Sequence, residues 1–174
     1  MAPRIFNVLF LCTHNSARSI LAESALNKLG EGRFRGFSAG SHPRGAVNPD
    51  ALRLLQRIGY PTEGLRSKSW DEFAAPGAPV MDFVFTVCDS AAGETCPVWP
   101  GHPVTAHWGI EDPSRVTGTD IERERAFVTA LRYLENRIKL LLALPIDKLE
   151  AQALQAAVRE IGRGEGATAP HAGA

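Results

Sequence analysis

The sequence has no excess of either charge. Its 174 residues carry 19 Lys+Arg and 19 Asp+Glu, a formal net charge of zero. Proteins that grip nucleic acid through its phosphates carry a basic excess. Nucleic acid is therefore not an expected partner, and any anion selectivity has to be built locally. Long apolar runs are also missing. The longest near the N-terminus, Val8 to Leu11, is far too short to span a bilayer. The polar Cys12-Thr13-His14-Asn15 that follows leaves no signal-peptide core. The expectation is a cytoplasmic protein with no membrane association. Cysteine is scarce, at Cys12, Cys88 and Cys96. An odd count without an export signal argues against a disulfide framework. No Cys-x-x-Cys pair is present, which argues against a zinc site. In a reducing compartment the remaining roles for these thiols are burial or chemistry.

What is present is a globular composition, 44% hydrophobic and 22% charged, which excludes a disordered chain. Strand and helix patterns alternate. Ile5 to Leu11 is a short apolar run suited to a strand buried on both faces. Apolar residues then recur at helical spacing from Ala17 to Leu29. Phe34 to Ala39 reads as a second strand, and Asn48-Pro49 as the capped start of a helix. Asp82 to Val87 reads as a third strand and Val104 to Ala106 as a fourth. Thr119-x-x-Glu122 is a capping box, and Phe127, Leu131, Leu134, Ile138 and Leu141 form one helical stripe that Pro145 ends. The expected fold is α/β, an open parallel sheet of about four strands flanked by helices. The domain is expected over residues 1–145, a further C-terminal helix over 146–163, and a disordered Gly/Ala/Pro tail over 164–174.

The chemistry concentrates between the first strand and the first helix, in Cys12-Thr13-His14-Asn15-Ser16-Ala17-Arg18-Ser19. Ligands of open α/β sheets bind outside the carboxyl ends of the strands. The following helix aims its free N–H groups and positive dipole end at this loop. Thr13, His14, Asn15, Ser16, Ala17, Arg18 and Ser19 are thus candidates for an oxyanion nest. Arg18 adds a planar fork for two oxygens. The same positive field is expected to favour the thiolate of Cys12, with Ser19 as a further donor to its sulfur. Cys88 follows the third strand and should share the loop-bearing edge with Cys12. A polar, Gly93-containing bridge separates it from Cys96. Such a cysteine pair in a cytosolic chain is more often catalytic than structural. Asp112, before Pro113, sits in an extended or turn-opening context, where a carboxylic acid can protonate a departing oxygen.

Cys12-x5-Arg18-Ser19 after the first strand, with Asp112-Pro113 late in the chain, resembles the low-molecular-weight protein tyrosine phosphatases. The likeness is greater to their redox relatives, the phosphatase-like arsenate reductases of the thioredoxin-coupled type. Cys12-Thr13-His14-Asn15-Ser16, Cys88, Cys96-Pro97 and His107-Trp108-Gly109-Ile110-Glu111-Asp112-Pro113 carry it, from Ile5 to Leu144. The resemblance implies that Cys12 attacks arsenate, Arg18 clamps it and Asp112 acts as the acid. It further implies that Cys88 and Cys96 complete a disulfide cascade emptied by an external thiol reductant, thioredoxin or glutaredoxin. Phosphate and sulfate are the expected competing anions. No tightly bound cofactor is expected. Some relatives hold potassium beneath the loop, and Asn15, Glu23 and Ser38 match three of its ligands, while the fourth acidic position falls on Trp70, beside Asp71. His107 and Trp108 read as loop packing.

Two other functions stay open on the residues alone. A phosphatase needs Cys12, Arg18 and Asp112 but neither other cysteine. A non-enzymatic oxyanion-binding redox sensor would use the loop and the Cys88–Cys96 pair without the acid. Ser114, Arg115, Val116, Thr117 and Gly118 follow the Asp-Pro with no aromatic wall for an aryl phosphate, which favours a small inorganic oxyanion.

Overall fold

Period-two alternation along the first strand organises the molecule. In the computed structural model, which describes residues 4–92 and 99–168, β1 runs Phe6–Cys12. Val8, Phe10 and Cys12 join one core cluster, while Leu9 and Leu11 join another on the opposite face. β1 is central. It pairs in parallel with β2 (Phe34–Gly40) on one side and β3 (Phe83–Thr86) on the other, and β3 pairs in parallel with β4 (Val104–His107). The strand order is β2-β1-β3-β4. The chain therefore leaves β1 in one direction and returns to its other side, which opens a crevice at the carboxyl ends of β1 and β3. Cys12 and Cys88 lie at those two ends.

One face of the sheet is covered by helices. α1 (Arg18–Leu29) buries Ile20, Leu21, Ala22, Ala25 and Leu26. α2 (Pro49–Arg57) starts where expected, with Asn48 Oδ1 accepting from Asp50 N and Ala51 N. The stripe Phe127, Leu131, Leu134, Ile138 and Leu141 is buried along α5 (Asp120–Ala143), and Thr119 Oγ1 caps it by accepting from Glu122 N. The opposite face carries a thinner layer. There α3 (Asp71–Ala74) brings Phe73 against Leu9 and Leu11, together with Met81 and Trp99. A further short helix, α4 (Asp89–Ala92), follows β3 directly.

The C-terminal region differs from expectation. A single 3-10 turn, Ile146–Lys148, precedes α6 (Ala151–Ile161), whose Leu154, Val158 and Ile161 enter the same core as β1 and α5. Residue 145 is therefore not a domain edge. Nor is the start of the tail free. Arg137, fully embedded on α5, donates to the carbonyls of Gly162, Gly164 and Glu165 and of Tyr133. Thr168 N donates to Gly109 O, and Thr168 Oγ1 donates to Asp89 Oδ1. The glycines that suggested disorder serve close packing instead: at Gly166, with φ of 84°, a Cβ would fall 2.4 Å from the Tyr133 ring. Residues 169–174, and the cysteine bridge from Gly93 through Cys96 to Val98, lie outside the described residues.

Candidate active site

The loop from Thr13 to Ala17 turns its carbonyls outward. Those of Thr13, His14 and Ser16 accept from the backbone N–H groups of His42, Arg44 and Asn48, and Ser67 Oγ adds a second bond to His14 O. The loop can fold this tightly because Gly40, at the end of β2, has no side chain. A Cβ there would lie 2.5 Å from Thr13 O and 2.7 Å from Cys12 O. Asn15 takes the left-handed turn, φ 45°, and is completely buried. That conformation costs about 1–2 kcal/mol in a non-glycine residue, and three side-chain bonds offset it. Asn15 Nδ2 donates to Ser19 Oγ and Ser38 Oγ, and Asn15 Oδ1 accepts from Lys68 N.

The helix that follows is left open to an anion. Ala17 occupies the N-cap position of α1 and supplies no side-chain cap. The first-turn N–H groups of a helix have no intrahelical acceptor, so here they and the dipole address whatever lies over the loop. His14, Ser16, Ala17 and Arg18 border a tight pocket of about 20 Å³ with Cys12, Arg44, Asp112 and Ser114. Thr13, Asn15 and Ser19 do not. Thr13 faces Cys88, while Asn15 and Ser19 lie beneath the loop. Ser19 was expected to approach the Cys12 sulfur, and it instead accepts from Asn15. A second cavity of about 460 Å³ adjoins and shares Arg18 and Asp112 with the first, adding Cys88, Asp89, Ile110 and Arg115. Among the described residues, neither pocket is lined by Phe, Tyr or Trp.

Arg18 and Asp112 face each other across this opening. Arg18 Nη1 donates to Ile110 O at 3.0 Å, and Nη2 stands 3.6 Å from Asp112 Oδ2. Burial opposes the ionisation of Asp112. Donation from Ser114 N–H and Oγ–H and the Arg18 charge outweigh it, so the carboxyl sits below its ordinary range.

The two cysteines are both buried, and each shifts the proton affinity of the other. Their proton lies opposite to expectation. Cys88 holds Cys12 protonated, burial adds to that, and the opposing pull of Arg18 is too weak, so the Cys12 thiol is pushed well above its ordinary range. Cys88 is the thiolate, drawn down to about 5. Cys12 does most of this, and against the cost of burial Cys88 also accepts from Thr13 and from Ala91 N at the start of α4. Cys88 owes its low value mainly to Cys12, Thr13 and Ala91 N, with the Arg18 charge the smallest contribution. The two titrate as one pair.

Around Cys88, Asp89, Thr86 and Thr168 were not singled out by sequence, and His107 was read only as loop packing. Asp89 Oδ1 bonds His107 Nε2 at 2.8 Å and Thr168 Oγ1 at 2.7 Å, and His107 Nδ1 reaches Thr86 Oγ1 at 2.8 Å. His107 is therefore more than loop packing, since it ties β4 to the helix that begins beside Cys88. Trp108 is packing, as expected. It is fully buried, stacked on Phe85 at 3.9 Å, with Nε1 bonded to Val158 O. Gly40 and Lys68 were missed too. Gly40 closes a strand at the carboxyl edge of the sheet, the one signal that marked it.

The matching family model, low molecular weight phosphotyrosine protein phosphatase, spans residues 7–157. The chain belongs to that family. Within it, an arsenate reductase of Bacillus subtilis is 35% identical over 133 residues, covering 76% of this chain and 91% of the relative. A solved arsenate reductase in the phosphate binding state superposes with a TM-score of 0.65 at 27% identity, over 79% of this chain and 97% of its own. An arsenate reductase from Archaeoglobus fulgidus gives 0.61 at 28% identity, over 79% and 99%. The family match extends past residue 145 into α6, in keeping with the shared core.

The potassium ligands implied by the resemblance are engaged otherwise. Asn15 Oδ1 accepts from Lys68 N, Ser38 O accepts from Lys68 Nζ, and Ser38 Oγ donates to Glu23 Oε1. An ammonium group already lies among these oxygens, so the donor set does not fit a metal ion. Among the described residues, no group of three or more His, Cys, Asp or Glu side chains is placed to hold a metal, and no helix is long and apolar enough to cross a membrane.

Proposed function

We propose that this chain is an arsenate reductase. The observation that carries the reading is the second thiol: Cys88 is buried beside the oxyanion loop, where Thr13 N donates to its sulfur at 3.3 Å, and it lines the cavity that shares Arg18 and Asp112 with the Cys12 pocket. Hydrolysis of a phosphoester has no use for it. The arsenate reductases that match most of this chain, and the absence of an aromatic lining, support the same choice.

In this reading arsenate caps α1 and takes the guanidinium of Arg18. Transfer of the shared proton from Cys12 to Cys88 makes Cys12 the nucleophile. Cys12 forms a sulfur–arsenic bond as one arsenate oxygen departs as water, protonated by Asp112. Asp112 begins as a carboxylate, and two changes on binding raise its proton affinity: Arg18 turns to the oxyanion, and the oxyanion brings negative charge close. Cys88 gives the proton up to solvent and, again as thiolate, attacks Cys12 Sγ. The Cys12–Cys88 disulfide forms, the sulfur–arsenic pair of electrons passes to arsenic, and arsenite leaves. Cys96 then attacks Cys88, freeing Cys12, and an external dithiol of the thioredoxin type reduces Cys88–Cys96. Glutaredoxin is the alternative donor, and with it Cys96 becomes dispensable.

The test is arsenite formation and nitrophenyl phosphate hydrolysis by wild type and Cys88→Ser, with thioredoxin, thioredoxin reductase and NADPH. Wild type should turn over arsenate, with phosphate and sulfate as competitors. Cys88→Ser should lose that turnover and keep any hydrolysis of the aryl ester. Multiple arsenate turnovers at the wild-type rate in Cys88→Ser, or aryl ester hydrolysis alone in both, would refute the reading.

A further inference from the structure

The floor of the oxyanion loop carries a charge of its own. Lys68 is 7% exposed, a rare burial for lysine. Its Nζ donates to Ser38 O at 2.8 Å and stands 3.8 Å from Glu23 Oε1. Ser38 Oγ donates to that same carboxylate oxygen at 2.5 Å and accepts from Asn15 Nδ2 at 3.0 Å. The backbone N–H of Lys68 closes the circuit on Asn15 Oδ1 at 2.9 Å. Lys68 therefore touches the strained turn of the loop twice: directly through its backbone, and through Ser38 by its ammonium. Among the described residues, no other cation is placed to do this. Arg66 is exposed and is engaged by Glu72.

We propose that the ammonium of Lys68 is the resident cation of the oxyanion loop, a positioning residue that fills the place of a monovalent metal ion and makes anion binding by this chain independent of potassium. An ammonium on a tether is always at its site, whereas a free ion must be captured from solution. Its charge lies beneath the anion pocket and adds to the field of the α1 dipole. Burying it without Glu23 would be prohibitive, and this gives Glu23 a role apart from the reaction. Burial pushes Glu23 up and Lys68 down from their ordinary ranges, and each is the other's main opposing charge apart from the Ser38 bond to Glu23.

The inference rests on the loop being an oxyanion cradle, so the experiment separates the two. Melting of the anion-free protein and phosphate affinity by calorimetry are measured in potassium, sodium and choline chloride at equal ionic strength. Wild type should be indifferent to the cation in both. Lys68→Ala leaves an ion-sized gap. In choline it should bind phosphate roughly tenfold more weakly, the scale of losing one support behind a ligating group, and potassium should restore most of that and raise its melting temperature. Lys68→Met fills the gap without charge and should be weakened equally in all three salts. Potassium-dependent melting or phosphate binding of wild type would overturn the proposal. So would wild-type phosphate affinity of Lys68→Ala in choline, or a loss there that potassium does not repair. If Lys68→Ala folds in no salt, Lys68→Met decides: unchanged phosphate affinity contradicts the proposal, and a salt-independent loss supports it. If wild type itself binds no phosphate, the cradle reading fails, and the salt dependence of melting still decides the role of Lys68.

Discussion

The two sides of Cys12 are built differently. On the β2 side, the loop is fixed from beneath by Asn15, Ser38, Glu23 and Lys68, all linked to one another, and from outside by backbone bonds to residues 42–48. On the β3 side, Cys88 immediately precedes α4, which is held through Asp89 by His107 and Thr168. A rigid half suits recognition, because a preorganised cradle loses little on binding an anion. A lightly anchored half suits a thiol that must first reach Cys12 and then turn away. The lesson is that charge recognition and redox chemistry share one sulfur contact while resting on separate supports.

That contrast can be broken most severely at Arg18, which with Asp112 lines both pockets. Arg18→Lys keeps the charge and loses the two-point grip, so arsenate kcat/KM should fall by about 100- to 1,000-fold. A variant within a few-fold of wild type would remove Arg18 as the clamp.

A second test asks on which half the thiolate resides. Ultraviolet thiolate absorbance should reveal one titration near the value of about 5 that Cys88 reaches. In Cys12→Ala, without that partner, that titration should move up toward an ordinary thiol. The sign for stability follows. A free thiol titrates at about 8.5, so between the two values the unfolded chain binds more protons than the native one. Stability from Cys88 is complete above the free-thiol range and is lost as pH falls through about 5. Cys12, pushed the other way, takes stability away as pH rises above the free-thiol range. An unchanged titration in Cys12→Ala would show that Cys88 owes nothing to its partner.

Smaller effects are expected from the anchors of the redox half. Ending the chain after Arg163 strips Arg137 of the Gly164 and Glu165 carbonyls. At these lengths each bond to the charged donor is worth about 1.5 kcal/mol, so losing two should drop the melting temperature by roughly 6–12 °C. Thr168→Val removes a single bond to Asp89, worth about 1 kcal/mol. It should leave arsenate KM unchanged, and a raised KM would show that the two halves are not separable.

Much of the recognition half was legible because it is local. Cys12 through Ser19 is one contiguous loop, and its place between a strand and a helix follows from hydrophobic spacing. Cys88 was legible for a similar reason, as the residue that ends a strand. The supports were not. Gly40, Ser67 and Lys68 meet the loop only through tertiary packing, and a lysine in sequence gives no sign of being buried. The location of the thiolate also escaped, because it depends on a contact between residues 12 and 88 and on the N–H of Ala91. The start of the tail, residues 164–168, was misread because glycine serves close packing and disorder alike. What distinguishes them here is Arg137, a buried guanidinium that needs carbonyl acceptors.

The most direct measurement is disulfide mapping by mass spectrometry after a single turnover with arsenate in the absence of external thiol. Wild type should yield one arsenite per chain and a Cys88–Cys96 disulfide, and Cys96→Ser should yield one arsenite and a Cys12–Cys88 disulfide. Arsenite released with all three cysteines still reduced, or no arsenite with Cys12 left unmodified, would contradict a reductase built on the Cys12–Cys88 contact.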